Sequence, residues 1–214
     1  MPASASDTRA AGLCLIDAAV LFWISWLLMP GVGVTDAAQI LALVGPRRGA
    51  VAWSAAVQLI SGVLYVPALL GTVASPLGDR RSVRWGAGLL LVGAMGSAAD
   101  AVFHLLAYAM TAPGLDAATL IPVMRFMQGP GLSMIAPLIL AFFAGSIWLS
   151  IALTRAAVVP RWHPWLYAVA LAVVVAGSAL ASAGVIAPRT VGLSMLAVVA
   201  AAQAQLGVGL LRGV

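Results

Sequence analysis

An aspartate and a histidine stand one helical turn apart at Asp100 and His104, inside an apolar stretch that runs from about residue 84 to 111. Residues four apart on a helix share a face. A carboxylate beside an imidazole orients the ring and shares its proton. Such a pair can hold a proton, polarise a bound ligand or orient a metal-ligating nitrogen. Counting back from Pro113 at about 1.5 Å per residue puts Asp100 roughly 20 Å and His104 roughly 14 Å below one end of the segment. Ionisable groups at that depth are expensive, and they mark functional sites by default. The competing expectation is a structural clasp, in which the pair bonds to Ser97, Gln58 or a backbone carbonyl. Such bonds in membranes average only about 0.6 kcal/mol.

Asp100 has a counterpart. Asp17 opens a run that leads to Pro30-Gly31, Asp36-Ala37-Ala38 and Gly45-Pro46, and Asp100 opens one that leads to Pro113-Gly114, Asp116-Ala117-Ala118 and Gly129-Pro130. In both, the acid lies thirteen residues before the Pro-Gly. The recurrence points to a tandem duplication of a helical hairpin, with both copies starting on the same side. The copies share the acid and not the imidazole, because Leu21 stands where His104 would be. Asp17 and Asp100 can therefore form one site with a shared proton. The alternative, which the position of Asp17 near the start of its segment favours, is that it faces the cytoplasmic interface.

Other groups carry weaker chemistry. Asp36 and Asp116 each precede a short apolar piece and suit a helix N-terminus. Arg125, within Met124-Arg125-Phe126-Met127-Gln128, can pair with either acid at an outer mouth, contact an anionic lipid head group, or simply snorkel. Met29, Met110, Met124, Met127 and Met134 gather towards the same side, which with His104 gives a weak pointer to copper(I). The other histidine, His163, lies in the opposite loop, so the two cannot ligate one haem. No resident cofactor or metal is expected. The single cysteine, Cys14, excludes an internal disulfide. Trp162, Trp165 and Tyr167 beside Arg161 read as an interfacial aromatic belt. No nucleophile elbow, H-E-x-x-H or Walker motif is present, so no enzyme is expected.

The elements that hold these residues follow from composition. Of 214 residues, 63% are hydrophobic and only 8% charged, and the mean hydropathy is +1.09. Soluble domains carry about 25% charged residues, so this chain must use lipid as most of its solvent. Every basic residue is Arg and every acid Asp, a bias expected of a GC-rich bacterial genome. The arginines are scattered among short loops, which excludes a nucleic-acid face.

Six segments reach the roughly 20 apolar residues that a span requires, at about 11–29, 50–74, 84–111, 132–154, 164–187 and 190–211. Unpaired backbone is not tolerated in lipid, so each must be helical. The fold class is therefore all-α: an integral membrane bundle of six transmembrane helices with two short outer interfacial helices. Residues 1–10 form a tail, followed by one domain over 11–214, with repeats over 11–74 and 84–154 and a final hairpin over 164–211. The last two connections are short, which predicts that the fourth, fifth and sixth spans are sequential neighbours. Seven arginines fall on the side of the termini and four on the other, which predicts cytoplasmic termini in a bacterial inner membrane. The partners expected are membrane lipids and either further copies or a larger complex.

The expected function is a small-molecule, ion or proton pathway centred on Asp100 and His104, with Asp17 as an auxiliary group. The alternative is a non-catalytic accessory or assembly subunit in which the polar pair only braces the bundle.

Overall fold

The computed structural model describes residues 5–212 and the side chains of residues 7–212. Residues 1–4 of the expected tail and residues 213–214 lie outside the described residues. The long helices are α1 (Ala5–Leu28), α3 (Arg48–Ala74), α4 (Arg81–Met110), α6 (Leu132–Arg155), α7 (Trp165–Ser182) and α8 (Pro188–Arg212). Two short ones, α2 (Ala37–Val44) and α5 (Ala117–Phe126), precede α3 and α6. No strand occurs among the described residues. All six long elements are apolar and long enough to cross a membrane, and helical hydrogen bonding satisfies their backbones where water is absent.

The short helices begin where the sequence places acids. Asp36 accepts from the Gln39 backbone N–H at 2.7 Å, and Asp116 accepts from the Ala118 N–H at 3.0 Å. Each carboxylate satisfies an otherwise free helix-start donor and suits the positive end of the dipole. α2 passes into α3 through a 3-10 turn at Gly45–Arg47, and α5 passes into α6 through a π-helical stretch at Met127–Gly131. Pro130 lies within that stretch, and its missing N–H fits a place where the regular ladder is broken. α2 and α5 pack on each other and roof one end of the bundle, here termed the short-helix face. The ends of α1 and α8 meet at the opposite, terminal face, where a Cβ on Gly12 would sit 2.8 Å from the Gly207 carbonyl oxygen.

α1 lies against α3 and α8, α4 lies against α3 and α6, and α7 packs chiefly on α8. The α4–α6 crossing is the tightest. A Cβ on Gly93 would stand 2.2 Å from the Phe142 Cα, so only glycine admits this approach. The small-residue spacing of Gly93 and Ser97 thus serves contact within the bundle.

Two expectations need correction. α1 begins at Ala5, with Thr8 and Ala11 already buried. Asp17 therefore sits well inside the helix, roughly 12 Å beyond Arg9 along the axis. Second, α6 and α7 are joined by a short link but do not pack as neighbours, because α8 takes the place beside α7. A short link limits separation and does not dictate packing. An apolar groove of about 290 Å³ remains between them, bordered by Phe143, Ile147, Leu171 and Val174.

Candidate functional site

The Asp100–His104 pair faces the interior of the bundle. Its side chains are 13% and 4% exposed respectively, and His104 Nε2 stands 3.7 Å from Asp100 Oδ2. α4 ends at Met110, so Asp100 lies about 15 Å and His104 about 9 Å from that end of the helix.

The surrounding hydrogen bonds fix the imidazole. Ser54 on α3 donates its hydroxyl proton to the Ser25 carbonyl of α1 at 2.6 Å. A hydroxyl has one proton, so at 2.9 Å from His104 Nδ1 the Ser54 oxygen is the acceptor and Nδ1 carries hydrogen. In the neutral ring Nε2 then presents its lone pair to Asp100. Nε2 and the carboxylate are the two basic sites left on the pair, and together they can take up one proton without leaving net charge. The Trp26 ring meets the imidazole edge-on at 5.3 Å between centroids. Gln58 on α3 donates from Nε2 to Asp100 Oδ2 at 2.9 Å and lies 3.4 Å from the Ser97 hydroxyl. Its own carbonyl oxygen Oε1 is buried without a hydrogen-bond partner, as is the indole N–H of Trp26.

Two cavities meet at this cluster. The first, of about 200 Å³, is lined by Asp100 and His104 and by Met29, Met124 and Met127. It reaches the short-helix face beside Val32, Gly33 and Gln128. The second, of about 280 Å³, has Gln58, Ser97 and Asp100 at its polar end and Phe22, Phe142, Met195 and Leu196 along its walls. Trp26, Val32, Asp100 and Leu132 border both. Asp100 is therefore flanked by a vestibule on one side and an apolar chamber on the other.

The remaining candidates are dispersed. Asp17 is exposed on the outer face of α1, because Leu15, Ala18 and Ala19 take the buried positions, and it borders neither cavity at Asp100. The shared Asp17–Asp100 site is not formed. Asp36 caps α2 and borders a separate surface cavity with Arg47 and Arg189. Asp116 caps α5. Arg125 is exposed, and neither it nor Asp116 borders the two central cavities. Met29, Met110, Met124 and Met127 are buried together, whereas Met134 is 73% exposed.

Gln58 and Ser97 are the expected polar partners of the pair, and Gln58 does bond to Asp100; the rest of the supporting polar structure escaped sequence reasoning. Ser54, Gln58, Ser61, Tyr65 and Thr72 are all fully buried on α3. Their intervals of four, three, four and seven residues are a helical stripe, which was the available signal. Tyr65 donates its hydroxyl to Gln203 on α8, and Gln203 donates to Ser146 on α6 at 2.8 Å. One turn away, His163 lies between Ser150, 2.6 Å from its Nδ1, and the Ala202 carbonyl, which accepts from Nε2–H at 2.9 Å. Both ring nitrogens of His163 are thus engaged, and burial pushes its affinity for a second proton below the ordinary value. Trp162 and Trp165 beside it are 51% and 70% exposed, as an interfacial belt requires, whereas Tyr167 is buried in the core and does not belong to that belt. Arg189 donates to the Leu27, Met29 and Pro30 carbonyls at 2.7, 3.0 and 2.9 Å, closing the free C-terminal end of α1.

No protein-family model matches the chain, and no curated protein or solved structure is significantly similar to it.

Proposed function

We propose that this multi-pass membrane protein binds, and passes across part of the bilayer, a proton or a small molecule or ion coupled to one, with Asp100 and His104 as the exchanging pair. The observation that carries the reading is the position of the pair. Asp100 and His104 are withdrawn from lipid, stand 3.7 Å apart with His104 Nδ1 tied to Ser54, and border a vestibule that reaches the short-helix face. A polar group maintained at depth for bracing alone needs no cavity beside it.

The distribution of arginines supports a bacterial inner-membrane protein with cytoplasmic termini, so that the vestibule faces outward. A tandem origin is supported by the parallel order of elements. In each half a long helix is followed by an aspartate-capped short helix and by a return helix that packs on the first.

The test is an infrared pH titration of the full chain in liposomes. A protonatable carboxyl band that exchanges with bulk solvent and vanishes in Asp100→Asn, with the fold retained, supports the reading. A silent Asp100, or one whose substitution only unfolds the bundle, refutes it.

One observation favours the accessory-subunit reading. The groove between α6 and α7 is apolar, has a volume of about 290 Å³ and is bordered by exposed side chains such as Leu171. Recovery of a stoichiometric membrane partner in mild detergent would favour that role.

A further inference from the structure

We infer that the chamber beside Asp100 takes a small neutral amphiphile from the bilayer, its hydroxyl head held between Gln58 and Trp26 and its apolar body against Phe22 and Phe142. The inference rests on the binding reading above and names the chemical class that the site accepts.

The polar end of the chamber presents one unused acceptor and one unused donor. Gln58 is fully buried, and its Oε1 has no partner because its amide N–H is committed to Asp100. Trp26 borders the same chamber, and its indole N–H is buried and unpaired. An unmet buried polar atom is destabilising, so a partner for it is favoured. A hydroxyl resolves both deficits at once, since it donates to Gln58 Oε1 and accepts from Trp26 Nε1–H. A charged head is disfavoured, because the two unpaired atoms, Gln58 Oε1 and Trp26 Nε1–H, are both neutral and a buried ion needs a charged partner.

The body of the ligand is set by the walls. Phe22 and Phe142 lie 5.1 Å apart at an interplanar angle of 33°, and Phe143 stands edge-on to Phe142 at 5.9 Å. A chamber of about 280 Å³ falls at the small end of small-molecule pockets, which suits a small ligand.

The route is lateral. α6 and α8 touch only sparsely where they border the chamber. Phe143 and Met195 line both the chamber and the apolar groove between α6 and α7. Leu171 on that groove is 65% exposed to the membrane side. The apolar surface is continuous from lipid to Gln58, so a molecule dissolved in the bilayer reaches the polar end without crossing water.

The test uses the full chain in lipid nanodiscs, with 4-propylphenol as probe and equilibrium dialysis against empty nanodiscs. Propylbenzene, which lacks the head, and a 4-propylbenzyl trimethylammonium ion, which carries charge, serve as controls. Saturable uptake of the phenol is expected, with each control weaker by about tenfold or more. Trp26→Phe should weaken the phenol roughly threefold to tenfold, and Met195→Trp or Ile139→Phe, which fill the chamber from opposite walls, should abolish uptake while the melting transition is retained. Equal uptake of propylbenzene, or phenol uptake that survives both filling variants, overturns the inference. So does absence of uptake, which would mean that water alone serves the two polar atoms. The infrared titration of Asp100 on the same sample separates the two claims. A titrating Asp100 without phenol uptake sinks only the ligand class, whereas a silent Asp100 sinks the underlying reading.

Discussion

Gln58 gives its amide N–H to Asp100 at 2.9 Å and keeps its own carbonyl oxygen buried without a partner. The acid thus orients the amide, and the amide's acceptor is left buried and unpaired in a residue that lines the chamber. The two residues lie on α3 and α4, so the arrangement exists only because those helices pack. It joins the Asp100–His104 pair to the chamber through a single side chain.

Gln58→Met, similar in length, should release Asp100 from its hydrogen bond and remove the unpaired carbonyl together. The two effects oppose, so stability should change by no more than about 1.5 kcal/mol. The infrared C=O band of Asp100 should move to higher frequency as the bond to it is lost. A large loss of stability with an unmoved band would show that Gln58 only packs.

Ser54→Ala removes the acceptor that fixes hydrogen on His104 Nδ1. The stranded buried N–H should cost about 1–3 kcal/mol. Nitrogen-15 spectra of labelled histidine should show His104 as the Nδ1–H form in the parent and as a changed tautomer population in the variant. An Nε2–H ring in the parent would contradict the tautomer set by Ser54.

Asp17 lies exposed on α1, within a helix long and apolar enough to cross a membrane. A mid-membrane acid costs about 2.5–3.5 kcal/mol on insertion scales. Asp17→Leu should therefore raise the unfolding temperature of the monomer in nanodiscs. A fall, together with loss of a larger particle, would show that this face is covered by another chain.

His163 lies in the link between α6 and α7, where burial lowers its pKa from the ordinary 6.5. The groups around it are the Ser150 hydroxyl, the Ala202 carbonyl and the Trp162 and Tyr167 rings. No charge compensates an added proton among these neighbours. The folded state holds the neutral ring while the unfolded chain protonates near 6.5. The contribution is therefore full above that pH and wanes as pH falls through the lowered folded value. Melting temperature in detergent should decline on acidification below about 6.5, and His163→Asn should flatten the decline. An unchanged slope in the variant would assign it to another group.

Much of the framework could be read from residue types in order. The apolar runs specified helices, because nothing else satisfies a backbone in lipid. Asp36 and Asp116 marked the starts of α2 and α5 for the same local reason, since a cap needs only its own next few residues. The spacing of Asp100 and His104 placed them on one face, because helical periodicity is local.

What surrounds that face is not local. Asp17 and Asp100 look equivalent in the chain, yet packing of α1 on α3 and α8 turns the first outward, while α4 turns the second in. Ser54, Gln58 and Trp26 meet His104 and Asp100 from two other helices, and no interval in the sequence encodes those approaches. The neighbour of α7 likewise escaped the length of its links, because side-chain fit between helices distant in sequence selected α8 over α6. The sequence by itself determined which segments cross the membrane and which acids begin helices. Tertiary packing decided which ionisable groups share a cavity, since that depends on contacts between residues far apart along the chain.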